Sequence, residues 1–257
     1  MPTDTDVPVL SAEDLVLAFG SFVVMRDLTF DIHPGEIFVI MGGSGSGKST
    51  LLKHLIGLMK PSEGTVRVQG RDLWSLSEAE RAAMLREMGV LYQEDALWST
   101  MTLAENVALP LDEHTALSDD DIQRIVSLKL ALVGLRGFED FYPHEISGGM
   151  QKRAALARAT ALDPDVLFFD EPTSGLDPIS ARRLDDLILQ LRDSLNTTIV
   201  VVSHDLESIF TIADRTLYLD IETKTMSALG PPEDLRRNPP NQRVYQFLTR
   251  SLDAEPH

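Results

Sequence analysis

Residues 42–50 read Gly42-Gly43-Ser44-Gly45-Ser46-Gly47-Lys48-Ser49-Thr50, and this stretch decides the fold. Before it runs Glu36-Ile37-Phe38-Val39-Ile40-Met41, a short apolar segment of strand formers. After it runs Leu51-Leu52-Lys53-His54-Leu55-Ile56-Gly57-Leu58, which reads as a helix. Strand, glycine loop and helix in that order are the context of a phosphate-binding loop. Glycines let the backbone curl until successive N–H groups face an anion. The helix that follows adds its positive N-terminal end. Lys48 is then placed to reach β- and γ-phosphates, and the Ser49 hydroxyl to take one position on Mg²⁺. A flexible glycine-serine linker has no use for Lys-Ser after its last glycine, or for a strand and a helix at its ends.

Outward from the loop, the chain alternates strand and helix. Upstream, residues 9–41 form a β-rich opening, expected as an N-terminal antiparallel subdomain, with strands at 14–19, 23–24, 27–32 and 36–41 and a turn at Pro34-Gly35. Downstream come an alternating strand at 65–69, a helix at 77–88 and a short strand at 89–93 that ends in Gln93. Ser77 and Glu80 make a capping box for that helix. Residues 94–155 change texture to helix. One helix is expected at 102–109, stopped by Pro110. A second starts at Ser118 with acidic residues in its first turn and an apolar stripe of Ile122, Ile125, Leu128 and Leu132. A third covers 150–162. The β/α alternation then resumes through 165–171, 178–194, 198–203, 206–213 and 215–220. It predicts a mainly parallel sheet with helices on both faces. The expected division is an α/β core at 9–93 and 156–240, an inserted helical subdomain at 94–155 and a helical tail at 241–257. In the tail Val244, Phe247, Leu248 and Leu252 share one face.

Composition narrows the function. The formal net charge is -17 with no dense Lys/Arg run, which disfavours nucleic acid as a partner and direct adhesion to anionic lipid. There are no cysteines, so neither a disulfide framework nor a thiolate site exists. No apolar run approaches the ~20 residues of a membrane-spanning helix, and the acidic start of the chain is unlike a secretory signal. The expected compartment is the cytoplasm.

Three further clusters carry chemistry. Asp170-Glu171 closes an apolar run. In a P-loop fold the first carboxylate assists Mg²⁺ and the second orients and deprotonates an attacking water. His204 directly follows the apolar segment 199–203, at the carboxyl edge of the sheet, where ligands bind in open α/β folds. Ser147-Gly148-Gly149 is a second glycine turn before a helix, hence a second anion site. One chain holds one P-loop, so the economical arrangement is two chains, each offering this turn to the nucleotide of the other. Phe19 has two readings, an adenine-stacking ring or a core side chain.

Taken in order, these motifs resemble the nucleotide-binding subunit of an ABC transporter over about residues 9–235. The resemblance implies a Walker A at 42–49 with Thr50 beside it, a Q-loop at Gln93, a signature at Ile146-Ser147-Gly148-Gly149-Met150 and a Walker B ending at Asp170. It further implies Glu171 as catalytic base, a D-loop at Ser174-Gly175-Leu176-Asp177, a switch histidine at His204 and adenine stacking on Phe19. ATP and Mg²⁺ are the implied cofactors, with Ser49, Gln93 and Asp170 on the metal and Gln93 also near the chemistry. Met150 stands where most of the family has glutamine. Segments 108–115, 128–137 and 147–159 are similar to the Mla/Mce-type phospholipid-transport ATPases. That similarity implies a second copy of the chain, membrane permease subunits, an Mce-domain lipid-binding protein, in some systems a small STAS-domain protein, and the cytoplasmic face of a bacterial inner membrane. The acidic pair Glu94-Asp95 departs from that group. Leu97, Trp98 and Met101 are implied to line the groove for a permease helix. The competing reading buries them in the helical region. The competing functions are a polar-solute importer ATPase, a soluble ABC ATPase acting outside transport and a nucleotide switch with negligible turnover.

Overall fold

The computed structural model describes residues 7–92 and 97–251. Gln93, Glu94, Asp95 and Leu252 therefore lie outside the described residues. Within them the strands are β1 (Leu10–Phe19), β2 (Phe22–Ile32), β3 (Ile37–Gly42), β4 (Glu63–Val68), β5 (Arg71–Asp72), β6 (Met88–Leu91), β7 (Val166–Asp170), β8 (Thr198–Val202), β9 (Arg215–Asp220) and β10 (Thr225–Gly230). The helices are α1 (Lys48–Leu55), α2 (Glu78–Leu85), α3 (Leu103–His114), α4 (Asp119–Leu132), α5 (Gly148–Ala159), α6 (Pro178–Leu195), α7 (Leu206–Ile212), α8 (Pro232–Arg237) and α9 (Gln242–Thr249).

Two sheets form. The larger has the order β10-β9-β3-β8-β7-β6 and is parallel except for β10, which runs antiparallel to β9. The smaller, β2-β1-β4-β5, is antiparallel. Strand β3 shows why the larger sheet is read as nearly continuous apolar runs: both of its faces are covered. Ile37, Val39 and Met41 enter a core shared with α3 to α7 and α9. Phe38 and Ile40 enter a second core shared with α1, α2 and the antiparallel sheet. There Phe38 stacks on Phe30 at 5.5 Å, tying the two sheets together.

Local signals hold where caps decide. Ser77 and Glu80 form the capping box of α2, and Ser118 caps α4. Three expectations differ. Helix α3 continues through Pro110 to His114, because Leu111, buried beside Val107, extends the packed face past the missing N–H. Helix α4 buries Ile122, Val126, Lys129 and Leu130, whereas Leu128 and Leu132 are exposed. Two apolar stripes of helical period coexist there, and packing on α3 and α5 selects one. Elements β5, β10 and α8 were too short or too polar to stand out. The tail helix α9 seats Val244 and Leu248 in the chain's own core, with the Phe247 ring edge-on to Tyr218 at 5.2 Å. No helix among the described residues is long and apolar enough to cross a membrane.

One buried acid makes stability depend on pH. Asp185 on α6 is 3% exposed and accepts a hydrogen bond from Ser208 Oγ on α7 at 2.6 Å. Burial pushes its carboxyl from the ordinary value up to about 6, against the pull of that hydrogen bond and with some repulsion from Asp205. The folded state therefore holds a proton that the unfolded chain releases at lower pH. Stability falls as pH rises from about 4 to about 6 and stays reduced above that, by at most ~3 kcal/mol. Asp185→Asn, which keeps an acceptor for Ser208, should melt higher than the parent near pH 7.5 and lose that advantage near pH 4. Melting curves at the two pH values check this. An equal shift at both would contradict it.

Candidate active site

The P-loop leaves β3 at Gly42, which has φ +154°. A Cβ there would lie 2.6 Å from Ser46 Oγ and 2.7 Å from the Leu219 carbonyl, so only glycine lets the loop close on itself. Ser46 Oγ is buried inside the loop with no hydrogen-bond partner, a donor kept available as an anion site requires. Gly47 caps α1 in the left-handed region with no side-chain cap, which leaves the first helical N–H groups facing the loop. Ser44 and Gly45 are exposed. Lys48 is buried and donates from Nζ to the carbonyls of Gly42 at 3.0 Å and Gly43 at 2.9 Å. Burial draws its ammonium below the ordinary value, against the attraction of Glu171 and Asp170.

Opposite the loop stand the acids. Ser49 Oγ donates to Asp170 Oδ1 at 3.1 Å. Burial raises the Asp170 carboxyl above its usual range, Ser49 lowers it and Glu171 raises it further. Glu171 follows β7 in the left-handed region, φ +52°, with its N–H on the Val202 carbonyl at 2.9 Å. Such backbone strain in a non-glycine residue turns the side chain out of the strand's alternation. His204 Nδ1 lies 2.8 Å from the Glu171 carboxylate, and the ring is otherwise open to solvent. The structure thus brings together residues 42–50, Asp170, Glu171 and His204.

A hydroxyl and a carboxylate are hard oxygen donors, the kind Mg²⁺ takes when a nucleotide supplies the rest of its shell. Among the described residues no group of three or more His, Cys, Asp or Glu could hold an ion alone. Ser49 and Asp170 therefore fit a cation that arrives with phosphates.

The remaining candidates lie elsewhere. Ser147 caps α5, accepting from the Met150 N–H at 3.4 Å, and both Ser147 and Gly148 are exposed. Gly149 packs near Ser180 and Leu176, so the turn at 147–149 abuts the segment at 174–177, whose Asp177 caps α6. Met150 packs partly buried against the larger core. Phe19 is 54% exposed, not a core side chain, and pairs across the β1–β2 hairpin with Phe22, which is 61% exposed. Sequence reading missed Phe22. Its signal was the symmetry of Phe19-Gly20-Ser21-Phe22, two aromatics flanking a two-residue turn. Trp98, 57% exposed, is likewise not buried. Its backbone N–H is held by Asn106 Oδ1 at 2.8 Å.

Comparison with known proteins follows the geometry. Residues 25–174 match the ABC transporter domain family. The chain belongs to that family and is one of its ATP-hydrolysing cassettes. It is similar to the intermembrane phospholipid transport system ATP-binding protein MlaF of Haemophilus influenzae, 42% identical over 96% of this chain and 92% of that one. Identity to the Escherichia coli K12 MlaF is 39%, over 96% and 90%. A probable ribonucleotide transport ATP-binding protein of Mycobacterium leprae, mkl, is 43% identical over 93% of this chain and 68% of that one. Among solved structures, cbiO1 from Clostridium perfringens, part of the transporter complex cbiONQ, superposes with a TM-score of 0.83 at 25% identity, covering 96% of both chains. The cassette MJ0796, dimeric and bound to ADP and Pi, superposes with a TM-score of 0.78 at 29% identity, over 86% of this chain and 98% of that one.

Glu171→Gln removes the carboxylate charge beside His204 while leaving Lys48 and Asp170 in place. It should retain ATP binding and lose hydrolysis by about 100-fold or more, read as phosphate release and nucleotide affinity on the same preparation. Hydrolysis at the parent rate would remove Glu171 from the chemistry.

Proposed function

We propose that this chain is the energy-coupling ATPase of a bacterial transporter that moves phospholipid between membranes. The observation that carries the reading is the similarity to two MlaF proteins along nearly the whole of both chains. On this reading ATP lies along residues 42–50, its base on Phe19, with Mg²⁺ held through Ser49 and Asp170 and also by Gln93. Glu171 takes a proton from the attacking water, and His204 keeps that carboxylate oriented toward the γ-phosphate. In sequence Gln93 stands where the α/β core at 9–93 and 156–240 gives way to the helical segment at 94–155, and the reading gives it a part in the chemistry.

The exposed signature turn serves the nucleotide of a second copy. Trp98, Leu109, Pro110, Met88 and Leu162 line an open groove of about 680 Å³ with Arg158 at its side. An apolar floor with a charged rim suits a short cytoplasmic helix of the permease. An Mce-domain lipid-binding protein and a small STAS-domain protein complete the proposed assembly, on the cytoplasmic face of the inner membrane. The Mycobacterium relative is named for ribonucleotide transport, which supports a polar solute as the second cargo reading.

The complex isolated through a tag on this chain, placed in liposomes with a fluorescent phospholipid, should transfer that lipid to acceptor vesicles only with MgATP. ATP-driven uptake of labelled ribonucleotide without lipid transfer would overturn the phospholipid cargo. The composite site has its own test. Because the chain has no cysteine, Ser147→Cys on one copy should crosslink to Ser44→Cys on another when ATP is bound. Products confined to single chains would exclude the shared site.

A further inference from the structure

The turn at residues 220–224 touches three parts of the nucleotide site's frame. At its start, Leu219 pairs with Gly42, so β9 delivers the turn directly beside the P-loop. Next, Ile221 Cδ1 stands 3.6 Å from where a Cβ on Gly45 would be, so its side chain flanks the exposed part of the loop. At its end, the Lys224 carbonyl accepts from the Arg26 N–H at 2.8 Å. Lys224 Nζ donates to the Val23 carbonyl at 2.9 Å and lies 4.8 Å from the centre of the Phe22 ring. Phe22 is the ring opposite Phe19. The same five residues therefore brace both the phosphate loop and the aromatic hairpin.

What fixes the turn comes from the end of the chain. Arg243 on α9 donates from Nη1 to Asp220 Oδ2 at 2.8 Å and from Nη2 to Glu222. The Asp220 side chain is only 4% exposed. Burial works against its charge, but the bonds from Arg243 and from the Glu222 N–H outweigh burial and hold the carboxyl below its ordinary range. A buried carboxylate stripped of its arginine keeps the desolvation cost without the compensation. The turn then has reason to move, and its neighbours on the loop and hairpin move with it.

We propose that Arg243 is a positioning residue for ATP: through Asp220 and Glu222 it sets the turn at 220–224, which pre-organises the P-loop flank and the base-stacking hairpin. The C-terminal helix thus belongs to the nucleotide site at one remove. The inference rests on residues 42–50 being the phosphate site. A pre-organising contact acts on binding more than on the chemical step.

The test uses the full chain, with MgATP binding followed by calorimetry and hydrolysis followed in parallel. Arg243→Ala should raise the Kd and KM for MgATP about fivefold while kcat changes less than about twofold. Arg243→Lys, which keeps one charge-assisted bond, should recover part of the affinity. Ile221→Ala keeps Arg243, Asp220 and Glu222 as bonding partners and should weaken binding similarly. The double variant should bind no worse than the weaker single one, because both act on one element. Arg243→Ala melting earlier but binding MgATP like the parent would overturn the proposal, as would additive losses. If Arg243→Ala does not fold, Ile221→Ala and Glu222→Gln decide, and parental affinity in both overturns it. Lys48→Ala separates the two readings. Binding lost there but intact in Arg243→Ala sinks this inference alone, whereas binding retained in Lys48→Ala sinks the phosphate-loop reading itself.

Discussion

Strand β3 is buried on both faces and paired along both edges, and the rest of the site depends on that constraint. Its partners β8 and β9 run parallel to it, with Ile40 opposite Val202 and Gly42 opposite Leu219. Strand β7 continues the level through Asp170 opposite Val202. The strands therefore end together, and whatever follows each of them meets at one edge: residues 42–50, Asp170 with Glu171, His204, and the turn at 220–224. A slip of one residue would exchange the two cores along β3. Phe38 would leave Phe30, and the two sheets would lose their stacked join. Register here is fixed by packing, and the chemical groups inherit it.

Bringing Lys48, Asp170 and Glu171 to one partly buried edge has an electrostatic consequence. Burial disfavours charge on both Lys48 and Asp170, moving one down and the other up. Their mutual attraction and the hydrogen bonds to Gly42, Gly43 and Ser49 offset part of that. Each of those bonds is of a kind that a phosphate oxygen or a cation can replace. The left-handed backbone at Glu171 and the contact with His204 belong to the same arrangement. The acid that follows a strand is turned toward the site and held by a group from the neighbouring strand.

How much of this was legible in the sequence follows from which interactions are local. The P-loop, its strand and its helix are contiguous, and glycine spacing states the backbone they need. Caps at Ser77 and Ser118 were readable for the same reason, since each cap is a bond across three residues. The buried face of α4 was not readable, because two apolar stripes of equal period compete and only α3 and α5 choose between them. Pro110 misled because a missing N–H is a local fact and the packing of Leu111 is not. Ile221 and Arg243 are each unremarkable in their own stretch. They gain meaning from β9 lying beside β3 and from α9 folding back onto Tyr218, contacts between residues far apart in the chain.

Charge also bears on how two such chains work together. Each copy carries a formal net charge of -17, so two copies repel over distances of roughly a Debye length, about 8 Å at physiological salt. Closing them around ATP adds further negative charge. In the composite site proposed above, attraction comes from short-range contacts at the nucleotide, those from the start of α5 among them, and from local neutralisation of phosphate by Lys48 and a cation. In that arrangement the contacts depend on a γ-phosphate that bridges the two surfaces. The repulsion between the bodies does not depend on it. On that proposal hydrolysis removes the bridge and leaves the repulsion, so the acidic surface biases the pair toward opening once the bond is cut. A net charge that argues against nucleic acid as a partner then has a second consequence, acting on the dimer as a force opposed to its closure.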